Sequence, residues 1–197
     1  MLKENHEIRA LARSRLRGAW LPAVGVVVIY AVILGASGVA VLGPFILGGP
    51  LALGLATYFL NSVRGQNAKI EDLFQGFKNF GSSCILFILQ SLFVALWSLL
   101  LVIPGIVKTF SYSMSFYILR DNPEIGWQEA ITRSRKMMDG HKGKLFCLYL
   151  SFIGWALLCV LSFGIGYLWL LPYMETSVAA FYEDLKNNQE GGNKFLT

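Results

Sequence analysis

Along this chain the apolar positions run in three long stretches almost free of charge, and the polar positions are collected between them. No charged residue occurs from Gly18 to Val63, only Lys108 lies between Asn79 and Leu119, and only Glu175 lies between Leu145 and Tyr182. A bilayer's hydrocarbon core takes about 20 apolar residues per helix, with roughly 17 as a lower limit, so each stretch is too long for one crossing and about right for two. The pattern predicts three helical hairpins. Gly/Pro clusters mark the fold-backs: Gly43-Pro44 with Gly48-Gly49-Pro50, then Pro104-Gly105, then Gly164-Ile165-Gly166. The predicted spans are Ala19 to Leu42, Leu51 to Val63, Ser82 to Ile103, Ile106 to Leu119, Leu145 to Phe163 and Tyr167 to Tyr182. The second and fourth are short enough to recruit flanking residues or to thin the membrane locally.

The segments between the stretches carry a second period. Ile70, Leu73, Phe74, Phe77 and Phe80 fall at helical spacing, as do Trp127, Ala130, Ile131, Ser134 and Met138, and as do Ile8, Leu11 and Ala12 with Ala19. Asn122-Pro123-Glu124 offers a capping residue, a first-turn proline and an acid, which predicts a helix start there. The expected fold is therefore all-α and polytopic: six transmembrane helices as three hairpins, each preceded by a cytoplasmic amphipathic helix. Units of roughly sixty residues repeat in this reading. Pro104-Gly105 followed by Tyr112, and Ile165-Gly166 followed by Tyr173, are offset by 61 positions. The boundaries predict one integral membrane domain over 1–186 and a flexible cytoplasmic tail over 187–197.

Composition supports the membrane reading independently. The chain is 55% hydrophobic and 15% charged, with a mean hydropathy of +0.54, whereas soluble domains carry about 25% charged residues. The run from Ala19 to Leu42 exceeds the 7–15 residues of a signal-peptide core and leads directly into a second span, so it reads as an uncleaved helix. Cys84, Cys147 and Cys159 are scattered within predicted spans and read as small packing residues. Of the 17 Lys and Arg residues, all but Lys108 fall on one side of the predicted hairpins. The positive-inside rule makes that side cytoplasmic, with both termini inside. The net charge of +5 sits beside spans and is mixed with acids. It points to anionic lipid head groups, contacted by Arg9, Arg13, Arg15, Arg17, Arg133, Arg135 and Lys136, rather than to nucleic acid.

Few residues are candidates for chemistry. Glu175 lies about 12 Å into the sixth span, where an ionisable group is costly unless paired or wet. It reads either as a proton-linked or cation-binding carboxylate or as a buried packing residue. Lys108, one turn after Pro104-Gly105, is placed to snorkel and has the reach to bridge to Glu175 if their helices touch. With Tyr112 and Tyr173 these two form a candidate intramembrane polar site. Ser111 with Ser115 and Ala52 with Ala56 are spaced for close helix packing. The chain lacks HExxH, GxSxG, a phosphate loop and any Cys/His cluster, and Glu175 has no partner acid in a span. Catalysis, a metal and a cofactor are accordingly not expected.

Gly49-Pro50-Leu51 with Leu53-Gly54-Leu55, Ile70-Glu71-Asp72-Leu73-Phe74 with Gly76-Phe77-Lys78, and Leu96-Trp97-Ser98 with Ile103-Pro104-Gly105-Ile106 form an ordered set. Tyr117-Ile118-Leu119 leading to Asp121-Asn122-Pro123, Ser134-Arg135-Lys136-Met137-Met138, and Leu170-Leu171-Pro172-Tyr173 with Ala179-Ala180-Phe181-Tyr182 continue it. In this order they resemble the bacterial membrane proteins catalogued as domain of unknown function 975. A more distant similarity is to the membrane region attached to some glycerophosphodiester phosphodiesterases, whose catalytic barrel this chain has no room for. The resemblance implies a multi-pass protein of the bacterial cytoplasmic membrane and supplies no site residues. The expected role is a non-enzymatic membrane module interacting with partner proteins, anionic lipids or further copies of itself. The alternative is a small transporter or channel using Glu175, and a lipid-modifying enzyme is the third class.

Overall fold

The computed structural model describes residues 2–38 and 43–193. These residues form helices α1 (Asn5–Leu16), α2 (Trp20–Ser37) and α3 (Gly43–Arg64), a 3₁₀ helix (Ile70–Asn79), then α4 (Phe80–Leu100), α5 (Val102–Tyr112), α6 (Ser115–Asp121), α7 (Trp127–Met137), α8 (Lys142–Leu150), α9 (Ile153–Leu161) and α10 (Tyr167–Asn193). No strand occurs among the described residues. Among the described residues four segments are long and apolar enough to cross a membrane: Trp20–Ser37, Gly43–Arg64, Ile70–Leu99 and Lys142–Leu161. They correspond to the first, second, third and fifth predicted spans, although Val39 to Leu42 of the first lie outside the described residues.

Helix α3 is the centre of the bundle. Leu51, Phe59 and Leu60 are fully buried, and α2, the 3₁₀ helix, α4, α6 and α10 all pack on it. The Gly48-Gly49-Pro50 cluster, expected to end a helix, instead lies inside α3. Its glycines provide thinness. A side chain on Gly49 would run into the Ser83 backbone, and one on Gly48 would come within 2.8 Å of the Phe87 ring, so α4 can pack here only because both are glycine. The same device seats the 3₁₀ helix: a β-carbon on Gly54 would land on the Leu73 carbonyl, and one on Gly76 on the Pro50 carbonyl.

Four further expectations change. The fourth predicted span is broken into α5 and α6 at Ser113-Met114, and Pro104-Gly105 lies in the first turn of α5 rather than between helices. Ser134 of α7 explains how the break is tolerated: its buried hydroxyl donates to the Ser111 carbonyl (2.9 Å) and accepts from the Met114 amide (3.2 Å), satisfying backbone groups that the helix no longer pairs. Helix α7 begins at Trp127, not at Asn122-Pro123-Glu124, because the Asn122 side chain donates back to the Ile118 carbonyl and closes α6. At the other end of the chain α10 continues without interruption through Asn193, so 187–193 is helical, and 194–197 lies outside the described residues.

The 70–80 segment is amphipathic but not α-helical. With three residues per turn, side chains three apart eclipse, so Leu73 and Gly76 face α3 while Phe74, Phe77 and Phe80 form one exposed row. Successive rings stack with centroids 6.4 Å apart. Large exposed apolar side chains continue along α4 (Ile85, Leu92, Leu99) and α9 (Trp155, Leu158, Leu161). Apolar surface this continuous is unlike that of a monomeric soluble protein.

Gly54→Ala is expected to destabilise the protein by about 1–3 kcal/mol through overpacking. Gly154→Ala in α9, where a β-carbon meets nothing within 4 Å, is expected to be neutral or stabilising. Thermal unfolding of the two variants in detergent, followed by size-exclusion recovery, checks this; equal behaviour would show that the α3 contact is not tight.

Candidate functional site

The densest polar constellation lies where α3 and α6 end against the Tyr182–Lys186 stretch of α10. Asp121, the last residue of α6, has a side chain only 4% exposed. Arg64, near the end of α3 where the helix leaves the apolar core, reaches it with both terminal nitrogens, 2.9 Å to Oδ1 and 2.7 Å to Oδ2. Lys186 Nζ donates to Oδ2 at 2.7 Å, Arg120 to Oδ1 at 2.8 Å, and the Tyr182 hydroxyl to Oδ2 at 3.1 Å. Arg64 Nε also binds Glu183 at 2.9 Å. The cluster extends through a hydrogen bond from Arg120 to Asn61, whose amide donates to Asp72 at 2.9 Å. Asp72 further accepts from Gln75 and from the Lys69 amide, holding the start of the 3₁₀ helix.

The electrostatics follow from this crowding. Burial alone would raise the Asp121 carboxyl, but hydrogen bonds from Arg64, Lys186 and Arg120 and the Arg64 charge hold it well below the usual carboxylate range. Burial would likewise lower the Arg64 guanidinium, and Asp121 and Glu183 reverse that, raising it. The arrangement is a saturated ionic knot. Its carboxylates are occupied and its cations are donating, so its chemistry is to fix helix ends.

The predicted intramembrane site is not one site. Glu175 is half-buried, and Tyr30, Tyr117 and Tyr149, from α2, α6 and α8, lie close enough to feel its charge. Among the described residues nothing hydrogen-bonds to it. Tyr117 stacks on Tyr182 with centroids 5.3 Å apart, which joins the surroundings of Glu175 to the ionic knot. Lys108 does not reach Glu175; its ammonium sits 4.8 Å from the centre of the Trp97 ring. Tyr112 is buried against Phe93.

Tyr173 belongs to a third place. Its hydroxyl donates to the Arg9 carbonyl at 3.4 Å, its ring meets Phe152 edge-on at 5.1 Å, and the Arg13 guanidinium lies 5.8 Å from the ring centre. Together with Arg9 and Arg13 it lines a cavity of about 430 Å³. The other basic candidates are dispersed. Arg15 lies beside Gly65, Arg133 pairs with Glu129 at 2.6 Å on the exposed face of α7, and Arg17, Arg135 and Lys136 are exposed.

Fold and constellation together define an all-helical protein with several helices fit to cross a membrane and its ionic contacts gathered at helix ends. The chain belongs to the family described as Protein of unknown function (DUF975), whose model matches residues 1–111 and 99–189. No curated protein and no solved structure matches it.

Asp121→Asn is expected to cost about 3 kcal/mol near neutral pH, because it removes the buried carboxylate charge that Arg64, Arg120 and Lys186 share. A depressed folded-state pKa gives stability that is present above the ordinary value of 3.8 and is lost as pH falls toward the lower folded value. The gap between wild type and variant in thermal unfolding is therefore expected to be widest at neutral pH and to narrow below pH 3.8. A gap independent of pH would contradict the charged role of Asp121.

Proposed function

We propose that this protein is a six-span, three-hairpin protein of the bacterial cytoplasmic membrane, with both termini inside, acting as a non-enzymatic module that engages anionic lipids or a partner protein. The observation that carries this reading is the separation of polar and apolar surface. The ionic contacts collect around Arg64, Asp121, Glu183 and Lys186, while α4 and α9 present aliphatic and aromatic side chains outward. Helices α5 with α6, and the first part of α10, serve as the fourth and sixth spans. The broken span is tolerable in an apolar solvent because Ser134 satisfies its backbone. The ionic end is the cytoplasmic one, since all the Lys and Arg residues but Lys108 fall on that side of the predicted hairpins. The distant likeness to the membrane region of glycerophosphodiester phosphodiesterases is compatible with such a module and lends it no catalytic residue.

The tyrosine-surrounded Glu175 favours a second reading, a small transporter or channel with that carboxylate as the coupling group. Flux measurements on reconstituted vesicles separate the two. The module predicts no proton or cation flux under an imposed gradient in wild type or Glu175→Gln. Flux that disappears in Glu175→Gln would overturn the module in favour of the transporter.

A further inference from the structure

The cavity beside Tyr173 is built unlike the rest of the surface. Helix α1 buries Ile8, Ala12 and Leu16 completely, and this face, packed on α10, fixes Arg9 and Arg13 one turn apart in the lining of the cavity. The two arginines differ from the cations of the ionic knot. Among the described residues neither has an acidic partner, and the Arg9 Nε is buried with no hydrogen-bond acceptor. Tyr173 occupies the backbone carbonyl of Arg9 and offers its ring to Arg13, so it orients both residues without neutralising either. Tyr173 is six residues from the start of α10, about 9 Å along the axis. A buried guanidinium nitrogen with no acceptor, as at Arg9, is costly unless an anion or other acceptor meets it, and the exposed Arg13 adds a second positive charge beside it.

The rest of the cavity is apolar. Trp20, Trp155, Leu158, Trp169 and Leu170 line it, between α9 and α10, and its size of about 430 Å³ is within the range of small-molecule sites. Trp155, Leu158 and Trp169 are each more than half exposed, so the cavity opens sideways onto the apolar flank of α9. A site that combines two cations with an indole-lined wall open to that flank is complementary to an amphipathic anion.

We propose that this cavity binds one anionic glycerophospholipid, its phosphate held by Arg9 and Arg13 and one acyl chain lying between α9 and α10. The phosphate oxygens supply the acceptor that Arg9 Nε lacks, in the forked geometry that guanidinium favours. The acyl chain covers Trp155 and Trp169. This deepens the lipid-binding reading above and rests on its membrane placement.

The test uses the full chain in mixed micelles, with phospholipids brominated on the acyl chain as quenchers of tryptophan fluorescence. Three of the five tryptophans line the cavity; Trp97→Phe and Trp127→Phe remove the other two. Brominated phosphatidylglycerol is expected to quench at a lower mole fraction than brominated phosphatidylcholine. In Arg9→Gln/Arg13→Gln that preference should weaken about twenty-five-fold, from about fivefold for each arginine. Leu158→Phe, which narrows the channel without adding a tryptophan and keeps both arginines, should reduce phosphatidylglycerol quenching as well, and it holds the test open if the double variant fails to fold. Equal quenching by the two lipids, or an unchanged preference in the folded arginine variant, would overturn the proposal. So would displacement of phosphatidylglycerol by inorganic phosphate, which would mark a site for the anion alone. Release of the protein from membranes by alkaline carbonate would refute the membrane placement itself, separately from the cavity.

Discussion

The rest of the structure depends on one buried carboxylate. Asp121 ends α6 and meets Arg64 from α3 and Lys186 from α10, so three helices distant in sequence are fixed at one point. The net stability of such a knot is modest, because desolvating the charges offsets much of their attraction, whereas removing one partner is expensive. Its effect is therefore on geometry. Arg64 holds Asp121 with two nitrogens and Glu183 with the third, which fixes the relative positions of α3, α6 and α10. Tyr182 adds a hydroxyl to the same carboxylate and a ring to Tyr117.

Away from the knot the helices meet by shape. Glycines in α3 let α4 and the 3₁₀ helix approach until backbone touches backbone, a contact that needs no charge and suits an apolar solvent. Where the backbone is interrupted, a side chain closes the gap. Ser134 bridges the break between α5 and α6, and Asn122 closes the end of α6. In water such breaks would be solvated at little cost; in hydrocarbon each unpaired group is expensive.

The long apolar helices were legible because missing charge is a strong signal over twenty residues or more. Their boundaries were less so. Gly48-Gly49-Pro50 reads as a turn in one dimension, since glycine as a breaker and glycine as a thin contact are the same letter; only the approach of Ser83 and Phe87 tells them apart. The break at Ser113-Met114 left no mark because the residue that supports it, Ser134, is twenty or more positions away. The phenylalanine row was visible as a stripe, but its spacing of three fits α and 3₁₀ geometry alike. The ionic knot was hidden for the same reason as the break: Asp121 lies 57 residues from Arg64 and 65 from Lys186, and all three looked like ordinary loop charges. Glu175 and Lys108 were conspicuous as lone charges in apolar stretches, and the structure gives them separate neighbours. Tyr173 was noticed through its repeat position, and its contact with Arg9 and Arg13 spans a distance no local pattern records.

Under the proposed membrane placement these features make one picture, with the ionic knot at the cytoplasmic end, the apolar flanks toward lipid, and a cavity in which two arginines of the N-terminal helix without acidic partners among the described residues meet an indole-lined wall. The picture depends most on the two ends of the hairpins lying on opposite sides of a membrane. Single cysteines at Asn67, Gly140 and Gly164, in a chain whose three native cysteines are replaced, measure this directly with a membrane-impermeant maleimide. Gly164→Cys is expected to react in intact cells, and Asn67→Cys and Gly140→Cys only after the membrane is opened. Labelling of all three from the same side would contradict the hairpins and the orientation of the ionic knot together.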